Sequence, residues 1–265
     1  MKQKHKMIWF YRIILFVVVP VLTYFSLQAY TSQEYFSTVL YFDGTLIIEE
    51  SSLDRDENKE KHGIIVKEYP SFNEDGYIFD RDKNKPYWQK DAKNITSIEV
   101  GSEIQPESLA FWFTDLYYAN TIDVSKVNTS KVESMAYMFN ETGCYAEDEF
   151  VIKGLDSWDT SSVTDMQWMF RAAGANAKKF ELEGGLDNWD TSKVRITVYM
   201  FDSAGEKADD CYIGDVSNWD TSSVIASSAM FGGFSNNDKS NSYTRELGQK
   251  FVNAAIQNAT KEGIN

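Results

Sequence analysis

The sequence predicts an α/β solenoid preceded by a membrane-spanning helix. Three observations predict it: a Trp-Asp-Thr-Ser mark that recurs every 30–31 residues, a Met-Phe mark that keeps the same period, and one apolar N-terminal run with basic charge on a single side. The expected organisation is a basic stub and transmembrane helix over 1–30 and a β-rich capping region over 31–103. Tandem repeats follow over 104–231, and a C-terminal capping helix closes 232–265.

The N-terminal segment opens with Lys2, Lys4, Lys6 and Arg12 and holds no acid among its first twelve residues. The apolar run Ile13–Leu27 lengthens to 21 residues when counted from Met7, enough to cross a bilayer. Trp9 and Tyr30 lie 21 positions apart, about 31 Å on a helix, which suits two interfacial anchors. The positive end stays inside, so the body faces outward. A cleaved signal peptide is the alternative, although Leu27-Gln28-Ala29 offers a small residue only at its last position. Either way the body is exported.

Charge narrows the partners. The 40 Asp and Glu against 26 Lys and Arg give −14; without the four N-terminal cations, residues 13–265 carry 22 bases against 40 acids, about −18. Nucleic acid is excluded as a partner, because its binding rests on neutralised phosphates. Seven Trp and 15% aromatics exclude a disordered acidic tail. Two Cys and two His are too few for a four-ligand Cys/His metal site, and no cofactor is expected.

The repeats carry the fold. Leu155–Val163, Leu186–Val194 and Val216–Val224 share Trp-Asp-Thr-Ser, and Val124–Val132 is a weaker copy. Thr129, Thr160, Thr191 and Thr221 are spaced 31, 31 and 30. The pairs Met138-Phe139, Met169-Phe170, Met200-Phe201 and Met230-Phe231 keep the same spacing. Leu109–Phe113 is a degenerate copy 26 residues before Met135. Within a unit, β-prone runs at Phe150–Ile152, Phe180–Leu182 and Cys211–Ile213 precede glycines. The Asp-Thr-Ser stretch is turn and cap material. Met166, Met169 and Phe170 sit at i, i+3, i+4, which predicts a short helix packed beneath a parallel sheet. Short apolar runs between charged loops make 31–103 a β-rich cap. Leu247, Phe251, Ala254, Ala255 and Asn258 at helical spacing, ended by Gly263, make the C-terminal helix.

This tandem Trp-Asp-Thr-Ser-(Ser/Lys)-Val…Met-Phe pattern resembles the BspA-like leucine-rich-repeat surface proteins of bacteria, the DUF285 repeat group, over about 104–231. The resemblance implies a leucine-rich-repeat-like unit of strand, turn and short helix, and an exported bacterial surface protein that binds partners without catalytic residues. Two features depart from it. The unit here is longer than the family's common one, and Arg195-Ile196-Thr197-Val198-Tyr199 stands where Thr-Asp-Met is usual.

The candidate chemistry has bland competitors. Trp158, Trp189 and Trp219 would form a stacking platform if exposed, but so regular a column predicts a buried one, with Val127 at the first position. Asp159, Asp190 and Asp220 would bind calcium as stacked carboxylates; Asx turns to the following Ser are cheaper, and Asn128 can make the same turn. The loops from Asp54 and Asp80 imitate a calcium loop but place Lys59 or Lys85 where Gly is needed. His5 and His62 lie outside the repeats, so no Ser or Cys there has a repeat-borne base. Cys144 and Cys211 occupy different positions two units apart, which predicts no disulfide.

The functional expectation is a membrane-anchored extracytoplasmic binding or adhesion module without catalysis, whose partner is a protein or a surface glycan. An exported carboxylate-dependent hydrolase and a passive envelope protein are the alternatives. Residues that hold a scaffold repeat, whereas residues that choose a ligand need not. The loops after each Met-Phe pair vary most: Asn140–Glu149 acidic, Arg171–Lys179 basic, Asp202–Asp210 acidic. The expected recognition edge is therefore Arg171, Asn176, Lys178 and Lys179.

Overall fold

A computed structural model of the chain describes residues 35–50, 55–70, 72–73, 79–80, 85–234 and 238–264. The expected transmembrane helix lies outside them. Among the described residues, no helix is long and apolar enough to cross a membrane.

Most strands belong to one mixed sheet. β1 (Tyr35–Tyr41), β2 (Thr45–Glu50) and β3 (Ile65–Glu68) pair antiparallel, with β1 at the centre. β4 (Phe72–Asn73) also pairs with β1, and β5 (Phe79–Asp80) pairs with β6 (Lys85–Pro86) in a separate ribbon. β2 then pairs in parallel with β7 (Ser97–Val100). From there β8 (Thr121–Asp123), β9 (Glu149–Lys153), β10 (Lys179–Leu182) and β11 (Asp210–Tyr212) add one parallel strand each. The order is β11-β10-β9-β8-β7-β2-β1-β3. Among the described residues two α-helices accompany it: α1 (Asp56–His62), which holds the Asp56-Glu57-Asn58-Lys59 stretch of the first calcium-like loop, and α2 (Asp238–Glu262).

This corrects the expected α/β solenoid with a short helix in every unit. Most of the described strands form one mixed sheet, and the Met-Phe segments are runs of turns. The reason is in the backbone. Tyr137, Trp168 and Tyr199 have φ of 60°, 58° and 54°, and Glu141, Ala172 and Ser203, four residues on, have 57°, 52° and 58°. A left-handed residue ends a right-handed helix. Met138 N–H bonds Met135 O (3.2 Å) and Asn140 N–H bonds Tyr137 O (3.2 Å) as local turns. The intervening Tyr137, Phe139 and Glu141 donate instead to Gln167, Met169 and Arg171 of the next unit, at 2.9, 2.8 and 2.7 Å. Half of the hydrogen bonds that a helix would keep to itself tie neighbouring units together.

One continuous core runs under the sheet. Met138, Phe139, Met169, Phe170, Met200 and Phe201 are fully buried, Met230 nearly so, and Phe231 packs against them half-buried. Phe113, Phe139, Phe170, Phe201 and Phe231 form a file of stacked rings 5.0–5.8 Å apart. Gly174 (φ +55°) shows how tight the packing is: a Cβ there would lie 2.7 Å from the Phe150 side chain. On the other face of β1 and β2, Val39, Tyr41 and Ile47 form a small second cluster with Ile65.

α2 closes the far end. Leu247, Phe251 and Ala255 are buried, with Phe251 edge-on to Trp219. Lys250 Nζ donates to Trp219 O (3.0 Å), and the Asn258 amide is shared among the carbonyls of Thr221, Ser222 and Val224 at 3.0–3.2 Å. The last repeat has no following unit, and α2 supplies the missing donors.

Candidate functional site

The Trp column faces inward. Trp158, Trp189 and Trp219 are 3–4% exposed and stack at 6.2 and 6.1 Å with their planes within 8°. Each indole N–H donates to a carbonyl of the preceding unit: Val124 (3.4 Å), Leu155 (2.9 Å) and Leu186 (3.3 Å). Rings sealed on both sides and hydrogen-bonded inward have no face for a ligand.

The Asp column makes turns. Asp159, Asp190 and Asp220 accept from the backbone N–H of Ser161, Ser192 and Ser222 at 3.0, 2.9 and 2.7 Å, and Asn128 accepts from Ser130 at 3.2 Å. Hydrogen bonds from the Ser161 and Ser192 side chains and backbone hold the carboxyls of Asp159 and Asp190 below the usual range. The neighbouring threonines add a link that spacing alone did not disclose. Buried Thr129, Thr160 and Thr191 donate their hydroxyls to Asp159, Asp190 and Asp220 carbonyls of the next unit, at 2.9–3.0 Å. Among the described residues, no three His, Cys, Asp or Glu side chains are placed to hold a metal.

The basic loop is committed within the molecule. Arg171 pairs with Glu141 of the preceding unit (2.7 Å) and lies 3.7 Å from Asp202 of the following one, with its guanidinium 4.7 Å above the Trp168 ring. The Asn176 amide donates to Cys144 O and accepts from Lys207 (2.6 Å). Lys178 pairs with Asp148 (3.0 Å) and Lys179 with Glu181 (2.5 Å), and these carboxylates raise both lysine pKa values. The acid–base–acid alternation of the three loops is thus largely matched between adjacent units.

Two carboxyls are pushed upward. Burial raises Glu49, against the opposing pull of Arg55, and burial raises Asp202 against Arg171. Each is spent on its cation. Cys144 is buried, and desolvation with Glu141 and Asp115 nearby pushes its thiol up to about 11, which leaves little nucleophilic thiolate. No disulfide joins it to Cys211.

What remains on the surface is a second aromatic file. Phe111, Tyr137, Trp168 and Tyr199 occupy one position of successive turn runs, at 4.7, 5.2 and 5.3 Å; the first two contacts are stacked and the last is edge-on. Phe111 is 36% exposed and the other three are half-buried. All four have left-handed backbones, and the next unit places Ala229 (φ 45°) there. Such a backbone costs a bulky residue about 1–2 kcal/mol relative to glycine. The signal was present in the sequence: the residue before each Met-Phe is aromatic in three copies out of four. Predicted helical spacing hid which way it points. Elsewhere, a groove of about 680 Å³ opens where Val127 stands in the Trp position, lined by Glu50, Ser102, Glu103, Lys126, Asn128 and Asp159 among others.

The described geometry is a mixed sheet whose parallel strands come from repeated segments, with an aromatic file at the surface. The family described as Mycoplasma protein of unknown function, DUF285, matches residues 107–244, which is 138 of 265 residues, and the chain belongs to that family. No curated protein and no solved structure matches the chain.

Proposed function

We propose that the protein is a membrane-anchored extracytoplasmic binding module that performs no chemistry of its own and holds a protein or surface glycan against the file Tyr137–Trp168–Tyr199. The observation that carries this is an aromatic, half-exposed position kept through successive units on a backbone that disfavours it. The companion left-handed positions Glu141, Ala172 and Ser203 share no side-chain type, whereas this position keeps an aromatic ring at Tyr137, Trp168 and Tyr199. The resemblance to BspA-like surface proteins and the apolar run after a basic stub support export and display. The basic loop of Arg171, Asn176, Lys178 and Lys179 serves as a staple between units, which moves recognition from that loop to the rings beside it.

A screen of the full chain in detergent against glycan and peptide arrays tests the reading. A binder whose affinity falls at least tenfold in Tyr137→Ala or Tyr199→Ala, with the melting temperature retained, supports it. Steady turnover of any array substrate, abolished by one carboxylate change, replaces it with the hydrolase.

A further inference from the structure

We infer that the corner formed by Phe42, Ile64 and Val66 rests on the surface of the lipid bilayer, an inference that builds on the proposed N-terminal anchor. These side chains are 74%, 71% and 58% exposed. They are also neighbours: Phe42 follows β1 and its N–H bonds Ile64 O at 3.0 Å, while Val66 lies in β3 two residues on. The register between β1 and β3 shifts between Leu40 and Tyr41, pairing Leu40 with Lys67 and Tyr41 with Ile65, so Val66 faces no residue across the ladder. A bulge turns its residue out of the sheet. The inward cluster beside it is already filled by Val39, Tyr41, Ile47 and Ile65.

Position along the chain says what covers the corner. The apolar run ends at Leu27 and β1 begins at Tyr35, so residues 28–34 are the whole connection. Seven residues reach at most about 25 Å. β1 itself spans about 23 Å from Tyr35 to the Phe42 end. The two lengths are nearly equal, so the connection is long enough to let either end of β1 meet the bilayer. β11, at the other edge of the sheet, is seven strand spacings from β3, about 34 Å away.

Charge selects the mode of contact. A chain of net charge −14 is not drawn to lipid headgroups by its overall field, and the neighbouring lysines Lys61 and Lys67 are held by Glu99 at 2.9 Å and Asp91 at 2.6 Å. Contact through Phe, Ile and Val is apolar insertion at the interface, which needs no net positive charge. Its effect is to fix the body's tilt, with the sheet edge β3 towards the membrane and β11 at the far edge.

The full chain, with Cys144→Ala and Cys211→Ala, is reconstituted in phosphatidylcholine–phosphatidylglycerol vesicles. It carries a polarity-sensitive fluorophore at Val66→Cys, at Ile64→Cys as a second site, or at Tyr212→Cys on β11. Spin-labelled lipids should quench the label several-fold at 66 and 64 and leave it unquenched at 212. Equal, weak quenching at all three sites, in protein that floats with the vesicles, overturns the membrane contact while the anchor stands. Protein that does not float with the vesicles overturns the anchor and the contact together.

Discussion

Thr160 shows how the units are joined at the level of single side chains. Its hydroxyl is buried and donates to Asp190 O at 3.0 Å, and the carbonyl has this donor because Thr, rather than Val, occupies the rung. Thr160→Val keeps the shape and removes the donor, so chemical denaturation should report a loss of about 1–3 kcal/mol. Beside it, Asp159 and Asp190 have folded pKa values below those of the unfolded chain. A depressed carboxylate contributes its stability above the unfolded value, about 3.9, and loses it as pH falls through the folded one. Asp159→Asn with Asp190→Asn should therefore flatten the acid side of the melting profile below about pH 4, as Asn128 already makes its turn without a charge. The Asx turns could be anticipated from Asp-Thr-Ser followed by an uncharged copy, because the bond is local. The Thr-to-carbonyl links could not, because their acceptors are 29–30 residues away.

Among the elements, the Met-Phe segment taught most. Met166, Met169 and Phe170 are buried at i, i+3, i+4, the pattern of one helical face. A run of turns that resets every four residues buries the same positions, so the apolar period cannot distinguish the two. Only the left-handed residues do, and aromatic side chains gave no sign of them. Phe170 is stacked on Phe139 at 5.4 Å and on Phe201 at 5.0 Å. Phe170→Ala should cost about 3–5 kcal/mol in a denaturation series, and hydrogen exchange should rise in the adjacent units as well as its own. One amide of α2 serves three carbonyls of the last repeat: Asn258→Ala leaves those of Thr221, Ser222 and Val224 short of a donor. The exchange protection of the last repeat should fall before that of the first.

At the level of the whole molecule, the period, the parallel strands and the buried Trp column were legible because each repeats. The mixed sheet was not. β1 and β2 join the parallel strands through a single pairing, Thr45–Ile48 with Ser97–Val100, between segments that share no motif. The ion pairs of the basic loop were hidden for a related reason: loop charge is visible in sequence, but its neutralisation between units is not. Exchanging Arg171–Lys179 for Gly and Ser should now lower stability through the lost Glu141 and Asp148 pairs. The most direct measurement is a binding titration of an array-selected ligand against two variants, the loop exchange and Tyr137→Ala with Tyr199→Ala. The aromatic variant should lose at least tenfold in affinity and the loop exchange less than threefold. Affinity lost in the loop exchange and kept in the aromatic variant would contradict the assignment.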